Sequence, residues 1–197
     1  MNRKDIEKVA EDLIQEFGIT TRPVPVHIIA NNKGCVVKEF DDDKNGVSGV
    51  FMVNDNVPTI GFNVNQSKVR QRFTIAHELG HFMLHSINDP NEVFVDNNAF
   101  APLFRDENSS TGTHILEQQA NAFAAALLMP EKFVVEEIKN MNLDLSDDEP
   151  NGLKELASKF NVSELAMSFR LVNLHLVQNN NINKRKADTF KNFNFNL

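Results

Sequence analysis

Apolar residues at Ile6, Val9, Ala10, Leu13, Ile14 and Phe17 recur every three or four positions across residues 3–17. That spacing predicts an amphipathic helix, stopped at Gly18. The period then changes. Four short runs rich in β-branched residues, 24–30, 34–40, 47–53 and 57–64, are separated by Asn31-Asn32, by Asp41-Asp42-Asp43 with Asn45-Gly46, and by Asp55-Asn56. They predict strands joined as hairpins or a meander. Helical spacing returns from about 66 to 85, with Asn65 or Ser67 as candidate cap. A polar stretch from Ser86 to Thr113 holds one strand candidate, Val93-Phe94-Val95. Connections of that length tend to be functional or mobile. Residues 114–128 form an Ala- and Leu-rich helix pattern ended by Met129-Pro130, and a second helix follows over 131–140. Beyond an acidic loop, Asp144 to Pro150, two more helices are expected at 152–160 and 163–177. Residues 178–197 are Asn-rich, carry Lys184-Arg185-Lys186, and read as a loosely ordered, solvated tail. No internal repeat is visible.

Composition narrows the class. A chain of 197 residues with 41% hydrophobic content has room for one domain with a real core plus a small appendage, and excludes wholesale disorder. The formal charge of −7 argues against a default nucleic-acid binder, because phosphate backbones reward a basic face. The single cysteine, Cys35, excludes an internal disulfide and fits a reducing compartment. The first residues, Met1 to Glu7, are charged and carry no apolar signal core, and no apolar run approaches bilayer length. The expectation is a soluble, cytoplasmic protein with no membrane partner. The chain has 16 Phe and no Tyr, which removes any mechanism that needs a tyrosine hydroxyl.

The chemistry concentrates in His77-Glu78-Leu79-Gly80-His81. Two imidazoles four residues apart on a helix lie one turn above each other on one face, where both reach one zinc ion, with the intervening Glu78 placed to handle a water. Phe73, Ala76, Leu79, Gly80 and Met83 are left to face the core. Gly80 is costly inside a helix, which makes sense if another backbone or a ligand comes close there. A catalytic zinc needs a third protein ligand and an open position. His85, Cys35, His114 and Glu117 are candidates. His85 lies about 12 Å of helical rise beyond His77, too far to share its ion, and fits better near the site or at the helix end. Glu117 is the better candidate: Asn121, four residues on, shares its face and can fix the tautomer of a ligating imidazole. Residue types alone leave the choice open, since a first-turn Glu is also ordinary helix chemistry.

Three segments together resemble a known family. Arg72-Phe73-Thr74-Ile75-Ala76-His77-Glu78-Leu79-Gly80-His81 precedes Glu117-Gln118-Gln119-Ala120-Asn121-Ala122-Phe123-Ala124-Ala125-Ala126-Leu127-Leu128-Met129-Pro130, and then Leu156 to Ser163 with Ala166-Met167 and Arg170-Leu171. Over about residues 25–177 the chain is similar to the ImmA/IrrE zinc metallopeptidases. The resemblance implies an α+β fold: a zincin-like core with a small antiparallel or mixed sheet, an HExxH active-site helix, and C-terminal helix-turn-helix-like helices. The expected division is a metallopeptidase domain with its N-terminal helix over 1–140, a helical extension packed on it over 141–177, and a loosely ordered tail over 178–197 that has no counterpart in the family. The resemblance assigns the metal ligands to His77, His81 and Glu117, and the catalytic acid–base to Glu78. Many relatives carry a second acid where this chain has Gln119. The implied activity is cleavage of a helix-turn-helix transcriptional repressor, which relieves repression. Zn²⁺ is the implied cofactor, and nitrogen and carboxylate ligands accept Mn²⁺ as well. With tyrosine absent, His85, His114 and Arg105 are the candidate substrate-contacting or oxyanion-stabilising groups. An extended substrate is expected to add to a sheet edge within the 47–64 strands.

Rival readings are specific. Peptide deformylases pair HExxH with an upstream cysteine, and Cys35 precedes His77 at a similar separation, but Asn32-Lys33-Gly34-Cys35-Val36-Val37 lacks that family's surroundings. A non-proteolytic anti-repressor, or one member of a toxin–antitoxin-type pair, would need no such His/Glu set. A DNA-reading role for residues 163–170 is poor chemistry: that helix offers one Arg, Arg170, and carries an acid. Asp41-Asp42-Asp43 lacks calcium-loop spacing.

Overall fold

The computed structural model describes residues 1–43, 46–85, 93–96, 112–143 and 150–177. Seven helices and four strands occur there in the order α1 (Arg3–Glu16), α2 (Val26–Asn32), β1 (Val36–Phe40), β2 (Gly49–Asn54), β3 (Val57–Asn63), α3 (Lys68–Leu84), β4 (Val93–Asp96), α4 (Gly112–Leu128), α5 (Glu131–Asn140), α6 (Pro150–Phe160) and α7 (Glu164–Asn173). The fold is α+β: a small mixed sheet, a helical core bearing the HExxH helix, and a C-terminal helix pair. Arg105 and residues 178–197 lie outside the described residues.

The first helix follows its pattern. Asn2 accepts from the Asp5 amide as N-cap, and Ile6, Ala10, Leu13 and Ile14 are buried. The run 24–30, expected as a strand, is instead largely helix α2. Its buried residues are Val26, Ile29 and Ala30, at helical spacing, with Pro25 as N-cap. An alternating strand would have buried Ile28 with Val26, yet Ile28 is 58% exposed. Short apolar runs are the ones that periodicity alone cannot resolve.

The sheet order is β1-β3-β2-β4. β2 and β3 form an antiparallel hairpin, with Gly49 opposite Phe62 and Asn54 opposite Val57. Its two-residue turn, Asp55-Asn56, takes positive φ at both positions, as the twist of the flanking strands demands. β1 does not join the hairpin as a meander strand. It pairs parallel to β3. β4 pairs antiparallel to β2, Phe94 opposite Phe51. The 47–64 strands are therefore interior, and the described edges are β1 and β4. This corrects the expected location of the free edge.

α3 starts at Ser67, whose side chain accepts from the Arg70 amide, and every residue from Phe73 to His81 is buried. It packs on β2 and β3 on one side and on α4 on the other. Gly80 makes the second contact possible. A Cβ there would lie 3.0–3.2 Å from Phe123 Cδ1 and the Ala120 backbone. Arg72 donates to the carbonyls of Val24 (2.9 Å) and Asn161 (3.3 Å), tying α3 to the lead-in of α2 and to the α6–α7 turn. Arg170, 1% exposed, donates to the Met129 carbonyl at 2.8 Å and clamps both Glu7 oxygens, joining α7 to α1 and to the end of α4. A guanidinium so enclosed cannot read a base edge.

Candidate metal centre

α3 supplies His77 and His81 because positions i and i+4 share a face. Their Nε2 atoms are 3.1 Å apart and their rings meet edge to face. α4 supplies Glu117, one oxygen 3.1 Å from His77 Nε2 and the other 3.3 Å from His81 Nε2. These ligand-capable atoms, from residues 36 to 40 positions apart across the two helices, fall within 4.8 Å of one another and could hold a metal ion. Donors on a tetrahedral ion at about 2.0–2.2 Å stand about 3.3–3.6 Å apart, so the three fit one with little adjustment.

The electrostatics match. Burial holds the His81 imidazole neutral, its pKa pulled down to about 4, against the weaker opposing pull of Glu117. Burial alone would favour a protonated Glu117, but the adjoining His77 and His81 imidazoles outweigh it and hold the carboxyl well below its usual range. Neutral imidazoles beside an ionised carboxylate are the protonation states a metal requires. Asn121 Oδ1 sits 3.1 Å from His77 Nδ1. An amide oxygen only accepts, so His77 carries its proton on Nδ1 and turns a bare Nε2 toward the cluster.

Glu78 is fully buried, next to His77 in sequence but not a member of the ligand cluster. The wall beside it is Gly49. A Cβ on that strand residue would lie 2.5 Å from Glu78 Oε1 and closer still to Thr74 Cγ2. Gly49 did not stand out in the sequence, and Thr74 appeared there only within the signature segment. Phe94 is stacked on His81 with centroids 4.4 Å apart and planes at 20°, and its ring lies 6.4 Å from that of His85. The β2–β4 register puts it there, since it stands opposite Phe51 on the same sheet face.

His85 closes α3 as its C-cap, its Nδ1 3.1 Å from His81 Nδ1 and its Nε2 3.0 Å from Gln119 Oε1. It touches a ligand-capable ring rather than joining the cluster. His114 lies near the start of α4, its Nδ1 buried without a hydrogen-bond partner among the described residues. Arg105 cannot be placed, being outside those residues. Cys35 is buried ahead of β1, its thiol pushed up to about 12 by burial, and takes no part in the cluster. That leaves nothing for a deformylase reading.

Fold and site together define an α+β metallopeptidase-like protein, built on an HExxH helix and completed by an acid from the next long helix. Residues 30–172 match the model of the peptidase family described as the IrrE N-terminal-like domain, and the chain belongs to that family. Among solved structures it resembles a Mycobacterium tuberculosis transcriptional regulator, with a TM-score of 0.55 and 17% identity over 85% of this chain and 46% of that one. The chain thus spans less than half the length of that regulator, and the likeness is one of fold. No curated protein sequence matches the chain. Among the described residues, no helix is long and apolar enough to cross a membrane.

Proposed function

We propose that this protein is a zinc-dependent endopeptidase that hydrolyses a peptide bond in a helix-turn-helix transcriptional repressor and so relieves repression, acting in the cytoplasm without binding nucleic acid directly. The observation that carries the reading is the convergence of His77, His81 and Glu117 beside the buried carboxylate of Glu78. In this reading His77, His81 and Glu117 hold the metal, leaving a position open; the same donors accept Mn²⁺. When bound, zinc supplies Lewis acidity and brings the pKa of a water toward neutrality. The chain's own residues do the rest. Glu78 takes the proton of the attacking water and returns it to the leaving amine. The backbone of Gly49 confines that carboxylate, and Asn121 keeps the His77 Nε2 lone pair directed at the cluster. Phe94 shields His81 from solvent. An extended substrate adds along β4, the described edge strand nearest the imidazoles, through main-chain hydrogen bonds.

The test is direct. The zinc-loaded protein is incubated with helix-turn-helix repressors from the same genome, with and without chelator, and alongside Glu78→Gln. Cleavage by the wild type that chelator abolishes, with full metal content but a rate lower by about 10²–10⁴ in Glu78→Gln, is expected. Equal turnover in Glu78→Gln removes the assigned base. Tight repressor binding without any cut, by wild type and variant alike, selects the non-proteolytic anti-repressor instead.

A further inference from the structure

We infer that Gln119 is a positioning residue that dictates which nitrogen of His81 carries the proton, through a hydrogen-bonded chain anchored on the backbone carbonyl of Met1. The chain has one polarity because its outer end can only accept. Gln119 Nε2 lies 2.9 Å from the Met1 carbonyl oxygen, so the amide end facing that oxygen is the NH₂ donor. The other end, Oε1, then faces His85 Nε2 at 3.0 Å and can only accept, which puts the His85 proton on Nε2. His85 Nδ1 is left with a lone pair toward His81 Nδ1, 3.1 Å away, and His81 must donate there. His81 Nε2 is thereby bare, and that is the atom 3.1 Å from His77 Nε2 and 3.3 Å from Glu117. The reverse polarity would turn an N–H into the ligand cluster.

α4 therefore does more than contribute Glu117. Asn121 orients His77 in one step and Gln119 orients His81 in two. An amide needs this anchor to fix which of its two ends meets His85; a carboxylate at position 119 accepts from His85 whichever oxygen faces it, and loses only the donation to Met1. The N-terminal segment, capped onto α1 by Asn2, is in this way connected to the metal centre.

The inference rests on His77, His81 and Glu117 being a metal centre and is independent of peptide hydrolysis. It is tested on metal-free protein labelled with ¹⁵N-histidine, where long-range proton–nitrogen correlations identify the protonated nitrogen of each ring, and by zinc-binding isotherms. The wild type is expected to show His85 protonated on Nε2 and His81 on Nδ1. Gln119→Met, close in shape but without a strong acceptor, is expected to mix the tautomers of both rings and weaken zinc binding about ten-fold. Gln119→Glu is expected to restore the wild-type tautomers and zinc affinity. A wild-type His81 proton on Nε2, unchanged tautomers in Gln119→Met, or a Gln119→Glu variant that behaves like Gln119→Met would each overturn it. A wild type with the expected tautomers that fails to bind zinc would sink the metal-centre reading alone.

Discussion

Gly49→Ala isolates the contact between the sheet and the HExxH helix α3. The added methyl carbon would stand 2.5 Å from Glu78 Oε1 and nearer to Thr74 Cγ2, where ordinary contact is 3.4–4 Å. Relief requires a displacement of about 1 Å, and both neighbours are fully buried, with strand and helix packed against each other. The Gly49 backbone is not in the left-handed region, so alanine is conformationally tolerated and the effect is steric. Overpacking of this kind costs about 1–3 kcal/mol. Replacing a strand glycine returns about 0.5–1 kcal/mol of that through chain entropy. The net, about 0.5–2 kcal/mol, lowers Tm by roughly 1–8 °C in a chain of this size. Catalysis should suffer far more, because a misplacement of about 1 Å in a reacting group costs about 10²-fold. The assay measures repressor cleavage, zinc content and thermal unfolding on the same preparation. The expected pattern is a rate down by about two orders of magnitude with stoichiometric zinc and a modest fall in Tm. Adding Thr74→Ser removes the nearer clash but not the one with Glu78, so it should recover Tm and not the rate. A single variant with wild-type turnover refutes the view that Gly49 confines the base.

Other consequences concern the ligands and the scaffold. Glu117→Ala should lose zinc during dialysis, as read by metal analysis; stoichiometric metal would mean that the third ligand lies elsewhere. In metal-free protein, His81 has a folded pKa of about 4 against 6.5 for the free group, so the unfolded state takes up the proton first. Stability from this source is complete above about pH 6.5 and is lost as pH falls toward 4, at most about 3 kcal/mol, measurable by denaturant unfolding in chelator. His81→Gln should flatten that part of the profile; an unchanged slope would exclude His81 as its origin. Arg170→Ala leaves the Met129 carbonyl and the Glu7 carboxylate without their shared donor. Breaking a buried pair costs about 3–5 kcal/mol, and the partly exposed Glu7 puts this case near the lower figure. A fall in Tm of only a degree would show that α7 is not held by this clamp.

Local pattern carried much of the molecule. The spacing of Ile6 to Ile14, the HExxH helix, the Asp55-Asn56 turn and the break at Met129-Pro130 each depend on neighbours within a turn or two, and such patterns are written into consecutive residues. The family signature marked Glu117 as a partner of His77 and His81, and helical spacing put Asn121 on the same face. Residues 24–30 misled because Val24, Val26, Ile28 and Ala30 alternate as well as any strand, and only the burial of Ile29 against the exposure of Ile28 tells the two periods apart. The sheet order was hidden for a related reason: the choice between β2 and β3 as the neighbour of β1 lies in long-range pairing.

By itself, then, the sequence determined which residue types are available for chemistry and the helix that pairs two of them. Tertiary structure decided how close they come. Gly80 lets α4 approach until Glu117 meets the imidazoles, Gly49 lets β2 lie against Glu78, the β2–β4 register lays Phe94 over His81, and packing of the N-terminal segment brings the Met1 carbonyl to Gln119. Each is a contact between residues distant in the chain, set by the packing of whole elements, and so leaves no periodic trace in the residues that make it.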